Sequence, residues 1–469
     1  LSMMKNIQKC AWIVLGVLLR VVVFSQPLPA GTLDPAFGSG GYYTFSTSGI
    51  PRTGLANGIA VQGNGRVVFS ASIKGGGDNM VVVRLTEDGK LDTSFAGGAG
   101  FVLPPIPLPL VYEPVVVVQP NQKILGGGWG VLSFGDINAD FVLTRLDSSG
   151  VPDAGFITST TDILFGSYDI AEGLDILPDG SIIQAGFSYT QWPSTDLSVI
   201  SLVKYKHNGS LDSTFDTDGK RTLNFSAVGT PVHRWVGTAV AAQPDGKMVI
   251  AGYGLNSSGS YSVALVFRLL PNGSLDPAFG PSGGYSILYG FPGGYINPSF
   301  WALDLEQDGR IVLAGSAQNA VSGKQEAMVV RLLPDGTMDG SFGPSLHPGI
   351  AVFAASGSGG TYYTETRGIV IDRSGHYVVG GRASGIWMVG CLTNTGMLET
   401  GFGPAGGGFG LYPPNNLIHA IAVDSSNRIV VAGDEGMTKI VVGRLGNYTS
   451  THAAEKAVLP LHVWPNPTS

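Results

Sequence analysis

The stretch "FRLLPNGSLDPAFGPSGG", residues 267–284, sets a basic strand end, a Pro-Asn-Gly turn, an acidic residue, one aromatic and a run of glycines into eighteen positions. Close variants recur as "VRLTEDGKLDTSFAGGAG" from Val83, "VRLLPDGTMDGSFG" from Val330 and, more worn, "TRLDSSGVPDAGF" from Thr144. Aligned on the aromatic, the copies fall at Phe37, Phe95, Phe156, Phe215, Phe279, Phe342 and Phe402, separated by 58, 61, 59, 64, 63 and 60 residues. Between them a second turn recurs seven times, for example as "QPDGKMVIAG" from Gln243 and "EQDGRIVLAG" from Glu306. A fixed period over most of a chain belongs to a solenoid, propeller or array, in which no unit can bury its apolar faces alone.

One unit holds four apolar runs of strand length, "VGTAVAAQ", "KMVIAGY", "YSVALVFRLL" and "GGYSILYG", with Pro-Asp-Gly or Asn-Gly between the first pair and after the third. Pro supplies a fixed φ there and Gly a positive one. Helical periodicity with caps is not legible inside the repeats. The expected fold is all-β, a seven-bladed propeller of four-stranded antiparallel blades, with a β-solenoid as the alternative. In each motif the acidic residue, such as Asp276, is expected to bond backbone N–H groups just downstream, and the aromatic, such as Phe279, to fill the seam between blades. The repeats start with an outer strand, "LDPAFGSGGYYTF" from Leu33, and end at "IVVGRLGNY" after a third strand. One blade is therefore expected to be split between the ends, with the strand near Tyr42 to Phe45 closing the ring.

Composition agrees with a turn-rich β protein: Gly is 70 of 469 residues, roughly twice average usage, and charged residues are 13%, about half the usual share. The net charge of −7, without a basic run, gives no footprint for nucleic acid and argues against a polyanionic partner. At the N-terminus Lys5 and Lys9 precede an apolar run and small or polar residues around Ser25, the layout of a secretory signal peptide over residues 1–25. Arg20 interrupts that run and leaves it short of a membrane span. Only Cys391 would remain after cleavage, which excludes an internal disulfide framework; it stands where Arg84, Arg145 and Arg331 stand in other copies and reads as packing. The organisation expected is a propeller over 33–446, a linker over 447–460, and a monomer with no membrane span in the mature chain.

The combination of "QPDGKMVIAG", "FRLLPNGSLDPAFG" and a spacing near sixty resembles the delta-60 repeat family of large bacterial exported proteins, a family name that describes a repeat and implies no activity. Two copies depart from the pattern, at Pro152 in "VPDAGF" and Glu399 in "MLETGF". The tail "LHVWPNPTS", over residues 461–469, resembles the start of the C-terminal sorting domain of the type 9 secretion system of Bacteroidota. A chain that opens at Leu1 and stops at Ser469 is expected to be an incomplete gene product, and the resemblance implies that the intact protein crosses the outer membrane through that machinery and is released or held at the cell surface.

Motifs of known chemistry are matched without their context. "GPSGG" at Gly280 to Gly284 fits a nucleophile elbow around Ser282, and "GFGPAG" at Gly401 fits a dinucleotide loop, but neither opens a helix. Asp136, Asn138 and Asp140 alternate as in a calcium loop that Asp147 would close, yet Phe141 stands where such loops need Gly. The seven His residues show no zinc spacing, and no cofactor is expected.

The constant turns mark one face as structural, whereas the other connections vary and hold Trp129, Tyr189, Trp192, Trp235, Tyr295, Trp301, Tyr362 and Tyr363. Near the start of each inner strand the equivalent residues are Asn57, Pro114, Glu172, Thr238, Trp301, Arg367 and His419, expected to ring the channel mouth. From these, Asn57, Glu172, Trp301, Arg367 and His419 are the candidate ligand-binding residues. The expected function is a secreted binding or adhesion module for glycan or protein, not an enzyme. The alternatives are a lyase or hydrolase with Glu172, His419 and Arg367 as acid, base and anion clamp, and a ligand-free spacer.

Overall fold

The computed structural model describes residues 28–45, 53–74, 79–136, 138–164, 166–191, 194–225, 232–256, 258–355 and 363–447. The signal segment, the secretion tail and nearly all of the linker lie outside the described residues. Every regular element but the short helical turn Ala96–Gly98 is a strand. The quoted unit gives Val232–Ala242, Met248–Asn256, Ser262–Leu269 and Tyr285–Leu288, paired antiparallel in chain order. Ser262–Leu269 is buried at every position, since adjacent blades cover both faces of the sheet.

The repeats make seven such four-stranded arrays, numbered here as blades 1 to 7 in the chain order of their innermost strands. Those strands are Thr53–Val61, Leu110–Val118, Tyr168–Ile176, Val232–Ala242, Tyr295–Leu305, Thr364–Ile371 and Ile418–Val423. The hydrogen-bonded sheets number six, because one parallel pair, Ser198 with Arg234, joins blades 3 and 4. Each innermost strand packs beside the next and the seventh beside the first, which makes a ring and excludes a solenoid. The outer strand of blade 7 is Tyr42–Thr44, paired with Lys439–Leu445, so the N-terminal strand closes the ring.

The opening motif holds this ring together. Asp276 Oδ1 accepts the N–H of Ala278 at 3.1 Å, while its Oδ2 accepts Arg268 Nε at 2.8 Å. Arg268 also lies 4.7 Å from the centre of the Phe279 ring and donates to the carbonyl of Pro334, in the turn of the next blade, at 2.6 Å. Phe279 is fully buried, and a Cβ added at Gly336 in that same turn would come within 2.6 Å of its ring. Gly336 thus satisfies two demands, a φ of +81° and the close approach of a neighbouring aromatic. The N–H of Gly280 then bonds the carbonyl of Asp335 at 2.7 Å, and an equivalent bond joins all seven seams.

Where the motif varies, the seam adapts. Blade 3 uses Lys204 with Asp212 at 3.1 Å, and blade 6 replaces the basic residue by the buried Cys391, whose thiol burial pushes up, while Glu399 faces His376 instead. The turns of this face are consumed by bonds between blades.

Candidate functional site

Every innermost strand is interrupted by a bulge at the same repeat position. The residues there are Asn57, Pro114, Glu172, Thr238, Trp301, Arg367 and His419; in blade 2 the irregularity takes in Glu113 as well. A bulge leaves a residue outside the ladder and re-aims its side chain. Each stands four residues before the end of its strand, so they form a belt part-way along the channel wall, not at its rim. The small residue that follows is required by the neighbouring blade: a Cβ on Gly58 would meet the Val116 nitrogen at 2.6 Å.

The belt divides by role. Thr238 is buried and ties blades 4 and 5 through a 2.8 Å bond to the carbonyl of Phe300. His419 Nε2 lies 2.9 Å from Oδ1 of the fully buried Asp434, whose other oxygen accepts from Asn416 and from the N–H of Met437. The buried side-chain oxygen of Asn57 has no hydrogen-bond partner. Arg367 of blade 6 acts on both Trp301 of blade 5 and, through its charge, Glu172 of blade 3. The Arg367 guanidinium sits 3.6 Å from the centre of the Trp301 ring, and Tyr253 of blade 4 packs 5.1 Å from Trp301 on a tilted ring. Glu172 is half-buried. Burial, and then repulsion from Glu113, raise its proton affinity well above the usual carboxylate range, which Arg367 offsets in part. The same field reaches Tyr253, whose phenol is pushed up by burial first and Glu172 second, against the pull of Arg367 and Arg234.

A second belt accompanies the first, and the sequence reading passed over it. Its members follow the pair of small residues in each second strand: Ser72, Trp129, Phe187, Tyr253, Ser316, Arg382 and Asp434. The alignment that finds the first belt would have found this one, since a constant small pair is followed by a residue free to vary. Blades 2 to 4 place aromatics there, Phe187 buried and Trp129 and Tyr253 half-buried, and these extend into an arc of rings. Trp129 stacks on Tyr112 at 4.5 Å and meets Tyr168 edge-on at 5.3 Å, Phe187 meets Tyr189 at 5.5 Å, and Tyr253 leads to Trp301. The indole N–H of Trp129 donates to Glu113 Oε2 at 3.0 Å and fixes the second carboxylate beside Glu172. Glu113 has a φ of +47°, strain of the kind that collects at functional sites. Trp235, expected among the ligand-facing aromatics, is a core residue packed on Phe225 at 5.6 Å, while Trp192 and Tyr362 lie outside the described residues.

The calcium-loop reading of Asp136, Asn138 and Asp140 does not survive as a loop, because Asp140–Leu146 is a strand and Phe141 is fully buried in it. Asp136 accepts the N–H of Asn138 at 3.1 Å. Asp140 instead meets Asp162 and Asp169, with carboxylate oxygens within 4.8 Å of one another. Burial, then Asp162 and Asp169, push the Asp140 carboxyl up to about 6, with Lys220 pulling it down. These three are the described side chains grouped closely enough to hold a divalent cation.

Four stretches, residues 62–95, 119–156, 243–279 and 306–342, match the family described as domain of unknown function (DUF5122) beta-propeller, each running from the first turn of a blade to the motif aromatic. The chain carries β-propeller repeats. No curated protein matches it. Solved structures similar to this propeller include a protein of unknown function from Dyadobacter fermentans, 11% identical, covering 71% of this chain and 94% of its own, with a TM-score of 0.42. An ulvan lyase, a polysaccharide lyase, is 9% identical, covering 86% of this chain and 96% of its own, with a TM-score of 0.45. An α-L-arabinofuranosidase of Fusarium graminearum is 10% identical, covering 72% and 92%, with a TM-score of 0.45. The expectation that the chain is no enzyme does not stand, because it rested on the lack of a legible catalytic motif, and that lack gives no ground for excluding catalysis.

Proposed function

We propose that the propeller binds carbohydrate along the aromatic arc and that Glu172 acts as an acid on the bound glycan. The observation that supports this is the adjacency of half-buried aromatic faces to a carboxyl that holds its proton. Sugar rings carry apolar patches that lie against aromatic faces, and such contacts commonly dominate a binding site. Cleaving a glycosidic bond calls for a proton donor beside a second carboxylate, a division of labour set by environment. Glu172 fits the donor. Glu113, oriented by Trp129, fits the partner that stabilises positive charge or activates water. Arg367, carried on the Trp301 face, restrains the Glu172 carboxyl and faces the same space.

The test is a panel of polysaccharides incubated with the protein, with release of new sugar ends as the readout. Glu172→Gln should keep binding and lose turnover by about a hundredfold or more, the usual scale for removing a general acid. Binding without turnover in the wild type would sink the catalytic part of the proposal, and no binding to any polysaccharide would sink the whole. The proposal extends to location: the apolar run after Lys9 and the "LHVWPNPTS" tail support export to the cell surface, to be checked by fractionating cells that make the full chain.

A further inference from the structure

Away from the aromatic arc, the variable face holds a cleft of about 880 Å³ where the loops of blades 4, 5 and 6 meet. Its lining is unlike the protein as a whole. The chain carries a net charge of −7, yet among the described residues the cleft is lined by two cations, Lys324 and Arg382, and by no acidic side chain. The remaining polar lining is amide, hydroxyl and phenol: Asn297, Gln318, Gln325, Tyr363 and three serines. Several of these are fixed in place. Asn297 Nδ2 donates to Gln318 Oε1 at 3.1 Å, its own Oδ1 accepts the N–H of Ser262 at 3.2 Å, and its φ is +51°, in the left-handed region that asparagine tolerates better than most residues.

The carboxylate that could neutralise Arg382 is already shared. Glu365 is 2% exposed; its Oε2 accepts the Tyr363 hydroxyl at 2.6 Å, and its Oε1 faces Arg382 Nε at 3.0 Å and Arg367 Nε at 3.7 Å. One buried carboxylate therefore stands against two guanidinium groups, one lining the cleft and one facing Glu172. Arg382 also lies 5.1 Å from the centre of the Tyr363 ring, which holds its plane. The cleft and the Glu172 site are thus joined through a single chain of contacts: Tyr363, Arg382, Glu365, Arg367 and Trp301.

We infer that the cleft is a subsite for an acidic saccharide, a sugar bearing a carboxylate or sulfate, on the same glycan that reaches Glu172. The inference rests on the carbohydrate reading above and narrows it to an anionic class. The cations take the acidic group, and the amides and hydroxyls take the sugar hydroxyls, for which they offer both donors and acceptors. The overall negative charge argues against a polyanion only at long range; at contact distance the lining decides.

The test measures affinity of the full chain for oligogalacturonate and for chondroitin sulfate oligosaccharides, with neutral xylo-oligosaccharides of equal length as the contrast, at 50 and 300 mM salt. One acidic series should bind at least tenfold more tightly than the neutral one and lose that margin at the higher salt. Lys324→Gln should weaken it by about tenfold, the scale of one charge-assisted bond. Because Arg382→Gln leaves Glu365 with one cation fewer and could disturb the fold, Gln318→Ala serves as the second variant and should weaken acidic oligosaccharides severalfold. Equal affinity for neutral and acidic series, or acidic binding untouched by both Lys324→Gln and Gln318→Ala, would overturn the acidic subsite while leaving the Glu172 reading in force. If none of the saccharides binds, the carbohydrate reading fails and this inference with it.

Discussion

At the scale of single residues, Trp301 and Phe279 illustrate two uses of an aromatic on one scaffold. Phe279 is sealed between a buried arginine and the turn of the next blade, so Phe279→Ala should destabilise the fold by about 3 kcal/mol or more, as core truncations do. Trp301 is only half-buried, held between Tyr253 and Arg367 from its neighbouring blades. Trp301→Ala should leave the midpoint close to wild type and weaken glycan binding, read by calorimetry on both variants; an equal loss of midpoint would mean that Trp301 is scaffold. Glu172 supplies a pH test. Its folded-state proton affinity is raised, so the stability it contributes is present below the ordinary carboxylate range and is lost as pH rises through the folded value. Glu172→Gln should therefore be more thermostable than wild type at pH 8, with the difference shrinking toward pH 4. A difference that instead grows on acidification would contradict the buried, proton-holding carboxyl.

At the scale of elements, the decisive one is the three-residue strand Tyr42–Thr44. It pairs with Lys439–Leu445, while just upstream Asp34 receives Arg444 at 2.8 Å and Gly31 covers Phe402. Deleting residues 33–47 removes this pairing together with the Phe37 seam and exposes an edge, so it should lower the thermal midpoint far more than deleting residues 450–469. Equal midpoints for the two truncations would refute closure by this strand. The bulge is the other element that matters, since it gives an innermost strand one side chain per blade that the ladder does not constrain. The repeat alignment located the bulge residues but not the bulge, because an unpaired residue is defined by its partner strand and not by its own neighbours in sequence.

At the scale of the whole molecule, a closed ring has no weakest end. Arg444 bonds Asp34 and reaches the carbonyl of Glu87 in blade 1, as Arg268 bonds Asp276 and reaches Pro334. Arg444→Ala should cost about 3 kcal/mol by stranding the buried Asp34 carboxylate, Arg268→Ala should cost less because Lys247 stays 3.3 Å from Asp276, and each variant should still melt in one transition. A near-neutral Arg444→Ala would mean that the closing seam bears less than the others. What the sequence by itself determined was everything that repeats. Period, turns, seam aromatics, the split blade and the ring position of Glu172, Trp301 and Arg367 follow from residues whose roles are local or are copied seven times. What only the tertiary structure decided is what occurs once. Glu172 meets Glu113 and Arg367, Asp434 takes His419, and Glu365 is shared between Arg382 and Arg367. These contacts join side chains from different blades or strands, whose directions are set by bulge and closure, and no period in one chain encodes them.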